Sequence, residues 1–108
     1  MTDTLNKELF EEYKQLSSRM LIHTYEVANC IQQSDYTKLS SLEKAKQEIR
    51  RDLEEFYKNN SHRRNELLDV VNTLDKTRVS MLCQSGLATQ ADIDEVAEKN
   101  TIFFEKNS

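Results

Sequence analysis

Apolar residues recur along the first third of the chain at Leu5, Leu9, Tyr13, Leu16, Met20, Val27 and Ile31, in steps of three, four or seven. That spacing lays them on one stripe of a helix, predicted from Thr2 or Thr4 to about Gln33. Phe10, Leu21 and Ala28 form a second stripe about 60 to 100° away, so the apolar face is wider than one neighbour needs. The first helix is therefore expected to pack against two others.

Ser34 and Asp35 interrupt the pattern with side chains that accept hydrogen bonds from the free amides of a new helix. The second helix is predicted from there to about Asn59, with Tyr36, Leu39, Leu42, Ala45, Ile49, Leu53 and Phe56 on its apolar face and EKAKQEIRRDLEE supplying alternating charge to its back. Asn59, Asn60 and Ser61 form the next polar break. Leu67, Val70, Val71, Leu74, Met81 and Leu82 then define a third helix ending near Gly86, a residue suited to the left-handed position after a helix end. A fourth, shorter helix is predicted from Thr89, with Asp92 three positions on as a weaker relative of the capping box, carrying Ile93, Val96, Ala97, Phe103 and Phe104.

Helices of this size are about 37 to 45 Å long, and connections of a few residues force neighbours to run antiparallel. The expected architecture is all-α: an up-down bundle of three long helices plus a shorter C-terminal fourth, forming one domain over residues 1–108. No heptad pattern runs unbroken across the polar breaks, which favours a bundle over one long coiled coil. The pattern leaves homodimerisation open.

Composition sharpens this picture. One glycine and no proline in 108 residues leave almost nothing from which to build the tight turns of a β-sandwich or a phosphate-cradling loop. Charge is interspersed, running −2 over residues 1–33, 0 over 34–60, +1 over 61–86 and −3 over 87–108, for a total of −4. An acidic chain without a basic arm is a poor match to a nucleic-acid binder, whose affinity comes mainly from phosphate neutralisation. No apolar run reaches the length of a signal peptide core or a membrane span, which reads as a soluble, cytoplasmic protein with no membrane partner. Cys30 and Cys83 are read as free, packed thiols.

Candidate chemistry is sparse. A dimetal site of the ferritin kind wants Glu three positions before each histidine, but Met20 precedes His23 and Asn59 precedes His62. A zinc site has no CxxC or HxxxH anchor, and neither cysteine adjoins a glycine-rich turn that would supply an oxyanion hole. His23 is read as an interhelical packing residue, and His62 with Arg63 and Arg64 as a local basic spot. Lys46 and Arg78 are the main charges inside the apolar arcs, and both are long enough to extend their heads to solvent, too little for an anion pocket of the chorismate mutase kind. The expectation is a protein that is not an enzyme and uses no cofactor or metal.

The second helix is the most specific stretch. Asp35-Tyr36-x-x-Leu39-x-x-Leu42-Glu43-x-x-Lys46-x-x-Ile49 resembles the D-W-x-x-L-x-x-L-E-x-x-R-x-x-L stretch of FliT-type flagellar chaperones. Leu67-Leu68-x-x-Val71-x-x-Leu74-Asp75 followed by Met81 is similar to the family's third helix, so the likeness covers roughly residues 5–82. Tyr36 stands where tryptophan is usual and Lys46 where arginine is usual, and the tail after Gly86 has no counterpart. The resemblance implies a cytoplasmic helical chaperone of flagellar protein export that binds the filament-cap protein and also contacts the export ATPase or a flagellar regulator. It further implies a last helix able to fold back over the partner-binding surface.

Independently of any family, the third helix has an apolar arc of nearly half its circumference, with Leu68 and Val79 on its flank. A strip of Leu68, Val79 and Leu82 is the candidate partner groove, laid against a partner helix. Residues 89–104 are its candidate lid, through Ile93, Val96 and Phe104. Such a groove binds through apolar contact, with affinity little changed by salt. Two alternatives remain: a regulator touching transcription machinery or nucleic acid through Arg50, Arg51, Arg63 and Arg64, whose binding weakens steeply with salt, and a structural dimer of helical hairpins. The core assignment makes a direct prediction. Leu42→Asp or Leu74→Asp buries an unpaired charge and unfolds the bundle, whereas a native-like melt by circular dichroism refutes the assignment.

Overall fold

In a computed structural model the chain is described over residues 2–106, with side chains described from residue 7 onward, so that Leu5 lies outside the latter. The elements are α1 (Thr2–Gln33), α2 (Tyr36–Asn59), a 3-10 turn (Ser61–Arg63), α3 (Arg64–Gln84), α4 (Gln90–Asp94) and α5 (Val96–Lys106), with no strand among the described residues. None of these helices is long and apolar enough to cross a membrane.

Local chemistry sets each boundary. Ser34 takes a left-handed φ of 57° after α1, and Asp35 donates its amide to the Cys30 carbonyl at 2.9 Å while its carboxylate accepts from the Lys38 amide at 3.2 Å to start α2. The end of α2 is closed by buried Asn60, whose Nδ2 donates to the Phe56 carbonyl at 2.8 Å and whose Oδ1 accepts from Arg63 Nη2 at 2.8 Å. Gly86, at φ 76°, ends α3 in a Schellman arrangement: the Leu87 amide reaches the Leu82 carbonyl at 2.8 Å and the Gly86 amide reaches that of Cys83 at 3.1 Å. At α4 the capping box is fully formed, with the Thr89 amide bonding Asp92 Oδ2 at 2.8 Å and the Asp92 amide bonding Thr89 Oγ1 at 3.3 Å. The Thr89 amide, with its hydroxyl, holds the Asp92 carboxyl below its ordinary pKa.

The last segment departs from expectation in one respect: it is two helices rather than one. Glu95, at φ −85° and ψ −8°, ends α4, and the Lys99 amide then reaches back to the Glu95 carbonyl at 3.0 Å to begin α5. Val96 and Phe104 of α5 are both buried.

Neighbour directions follow from the bonds between helices. Tyr13, Arg19 and His23 of α1 meet Phe56, Asp52 and Leu42 of α2 in reverse order, so these two run antiparallel. Tyr13, Ser17 and Tyr25 meet Asp75, Arg78 and Ser85 of α3 in the same order, so α1 and α3 run parallel. As the wide apolar face predicts, α1 packs on both, and α4 and α5 lie against α3. The core gathers Leu9, Tyr13 and Leu16 with Phe56, Leu67, Val70, Val71, Leu74 and Phe104.

Inside this core sits a polar node. Buried Asp75 accepts from the Tyr13 hydroxyl at 2.7 Å and from Asn100 Nδ2 at 3.1 Å, and pairs with Arg78 at 3.1 Å. Arg78 also donates to Ser17 Oγ at 3.2 Å, and Asn100 to Asn72 Oδ1 at 2.8 Å. The Arg78 head therefore turns inward to a carboxylate, where an extension to solvent was expected; Lys46 is exposed.

Other departures concern apolar residues. Ile31 and Tyr36, expected on core stripes, are 61% and 70% exposed, and Met81 is also exposed. For Ile31 and Tyr36 the reason is length; nothing in the structure accounts for Met81. With 32 residues α1 runs the 48 Å length of the molecule, whereas α3 has 21 and ends near the level of Tyr25. Residues 26–33 thus project roughly 12 Å past it. Periodicity marks the face that is apolar; it does not reveal that the neighbour has stopped.

Two measurements check this account. Tyr13→Phe removes a donor from a buried carboxylate and should cost about 1.5–3 kcal/mol in urea unfolding at neutral pH. Burial first, then the nearby Tyr57 and Asp75, pushes the Tyr13 phenol well above its ordinary value of 10.0, so the unfolded chain ionises first as pH rises. The stabilisation is complete below that unfolded value and is lost progressively above it, and Tyr13→Phe should show a shallower alkaline loss.

Candidate functional site

Two aromatic doublets shape an apolar recess at one end of the bundle. On a helix, adjacent residues point about 100° apart, so one member of a doublet faces the core and the other its flank. Phe56 of α2 and Phe104 of α5 are buried, while Tyr57 is half-buried and Phe103 is 45% exposed. Tyr57 is the hub, with ring centroids 5.8 Å from Phe56, 5.5 Å from Phe103 and 5.5 Å from Phe104, the last edge-on. Its phenol, like that of Tyr13, is pushed above its ordinary pKa chiefly by burial.

Against these rings opens a cleft of about 400 Å³ where the end of α2, the 3-10 turn, the start of α3 and the end of α5 meet. Tyr57, Leu67, Phe103 and Phe104 line its apolar part, and Glu54, Lys58, Ser61 and Arg64 its polar part. Such a space admits one or two large side chains and a few oriented polar contacts. Among the described residues no three His, Cys, Asp or Glu side chains gather as metal ligands would.

The residues singled out in the sequence lie around this cleft to different degrees. Phe104 is in its lining and also in the central core, at 8% exposure. Leu68 is half-buried and packs on the core; Val79 and Leu82 are half-buried farther along α3. Val96 is buried and Ile93 half-buried. Asn100 faces Asn72 and Asp75, so the antiparallel rise of α5 sets Phe104 beside the half of α3 carrying Leu68 and Val96 beside the half carrying Val79. Of the expected strip and its lid, only Phe104 lines the cleft.

The basic spots also separate. Arg50 and Arg51 are exposed on α2; Arg64 lines the cleft; Arg63 is half-buried, with Nε and Nη1 enclosed and unpartnered among the described residues. His23 does pack between helices, its Nε2 donating to the Leu42 carbonyl at 2.8 Å, and His62 is exposed. Cys30 is buried and Cys83 half-buried, both free.

Sequence reasoning left out Tyr57 and Phe103 as site residues. The signal that finds them is the doublet itself, Phe56-Tyr57 and Phe103-Phe104, since two adjacent rings point about 100° apart and one of them sits nearer the edge of the core.

No protein-family model matches the chain, and neither a curated protein nor a solved structure matches it.

The two phenylalanines should separate on substitution. Phe104→Ala should cost about 3–5 kcal/mol. Phe103→Ala should cost less, about 1–3 kcal/mol, the scale of its two ring contacts with Tyr57 and Phe104. Thermal melts of both variants read the difference, and equal losses would overturn the assignment of Phe104 to the core and Phe103 to the cleft.

Proposed function

We propose that this chain is a non-enzymatic protein-binding module, and more specifically a flagellar export chaperone of the FliT type that holds the filament-cap protein in the cytoplasm before export. The observation that supports it most is the half-open aromatic cleft, where Phe103 keeps large apolar area in contact with water beside a fully formed core. Burying one leucine or phenylalanine of a partner helix there contributes about 1.5–3 kcal/mol, enough to anchor a reversible complex. The more specific form rests on the likeness of α2 and α3 to that family's helices. In α2 the resembling positions Leu42 and Ile49 are buried, Leu39 is half-buried and Tyr36 is exposed.

In this reading α5 forms a wall of the site and stays in place. Lifting it as a lid would draw Phe104 from the core and Asn100 from Asp75, a loss of about 3–5 kcal/mol from the ring alone. The partner segment therefore lies beside α5, against Tyr57 and Phe103.

The test is capture of the filament-cap protein from a lysate of a flagellated bacterium by the full chain and by Phe103→Glu, with light scattering to follow the mass of each. Enrichment by the parent chain and at least about a tenfold loss in the variant is expected, since a carboxylate in the aromatic cleft opposes apolar burial. Recovery of RNA polymerase subunits, nucleic acid or only a second copy of the chain would replace this reading with a regulator or a structural dimer.

A further inference from the structure

The cleft carries a charge asymmetry that its apolar floor does not need. From Lys58 to Arg64 the sequence KNNSHRR holds three cations and no acid, within a chain of net charge −4. Lys58 and Arg64 line the cleft, and neither has an ion-pair partner among the described residues, although Glu54 lies one helical turn before Lys58.

The position of this charge is itself unfavourable. α3 begins at Arg64 without a side-chain cap, where a cation faces the positive end of the helix dipole and Glu66 is the acid of the first turn. Arg63, one position earlier, is half-buried, held by Asn60 through its Nη2, and stands outside the cleft lining. Lys58 is exposed and Arg64 half-buried at the cleft, so an acid presented there by a partner meets two cations against the single acid of the lining, Glu54.

We propose that the cleft selects an acidic amphipathic helix of a protein partner, seating one large apolar side chain between Tyr57, Leu67, Phe103 and Phe104 and setting a neighbouring Glu or Asp against Lys58 and Arg64. This rests on the protein-binding reading above and adds a rule of charge to it. Lys58 and Arg64 determine specificity; the aromatic rings supply affinity. Burial of the apolar anchor next to the carboxylate lowers the local dielectric and strengthens the pairing beyond that of an exposed ion pair.

Three blocked helical peptides of about four turns test it, sharing one pattern of Leu and Phe and carrying Glu, Gln or Lys at the flanking positions. Each is titrated into the full-length protein labelled with nitrogen-15 and followed by amide shifts. The Glu peptide is expected to move Tyr57, Arg64, Leu67 and Phe103 and to bind about tenfold more tightly than the Lys peptide. The combined Lys58→Gln and Arg64→Gln variant removes that preference, and Arg64→Glu reverses it; neither position is in the core, so both variants keep the parent melt.

Equal binding of all three peptides in the cleft overturns the charge rule and leaves the protein-binding reading standing. Absence of shifts at Tyr57, Leu67 and Phe103 with every peptide overturns both. Inorganic phosphate matching the Glu peptide in affinity, or shifts centred on Arg50 and Arg51, also overturns the inference, because the apolar floor would then take no part.

Discussion

The fold depends on one buried carboxylate. Asp75 is reached by Tyr13 from α1, by Arg78 from its own helix and by Asn100 from α5, so three elements are tied at a single point. Its partners are as necessary as the carboxylate, because a charge enclosed in a core is tolerated only when its lone pairs are met. Apolar burial alone allows helices to slide or rotate by small amounts at little cost. Directional bonds to one acid do not, and the register of α1, α3 and α5 is fixed by them.

That register in turn places the aromatic doublets. With Asn100 held at the level of Asp75, the next turn of α5 brings Phe104 to Leu67 and Phe103 to Tyr57. The cleft is thus a consequence of the polar node: both belong to one α5, whose position is set by a hydrogen bond and whose open edge is left to solvent. Binding surface and stability are drawn from adjacent residues of the same helix.

Much of this was legible in the sequence. The breaks at Ser34-Asp35, Asn59–Ser61 and Gly86 and the cap at Thr89 are local events, decided by residues within one turn of each other. The second stripe of α1 announced two neighbours, and two are present. Legibility ended where a property depends on a distant residue. Arg78 looked like a cation that extends to water because nothing in its own helix pattern shows Tyr13, Ser17 and Asn100 arriving around Asp75. Ile31 and Tyr36 looked like core because their face is apolar, while their exposure follows from the unequal lengths of α1 and α3. The cleft was missed for a related reason, since it forms where four elements meet and pairs core residues such as Leu67 and Phe104 with flank residues such as Tyr57.

The overhang of α1 divides one continuous helix between two cooperative units. The turns from Leu9 to Ser17 belong to the node and the aromatic core, so their amides exchange with solvent only when the whole domain opens. Beyond Tyr25, where α3 ends, α2 is the long neighbour of α1 and Cys30 is the one buried side chain of residues 26–33, so this end opens at lower free energy. Protection from hydrogen exchange therefore falls along α1 without any break in its geometry, and the molecule has a stiff end at the cleft and a compliant one at the Ser34 turn.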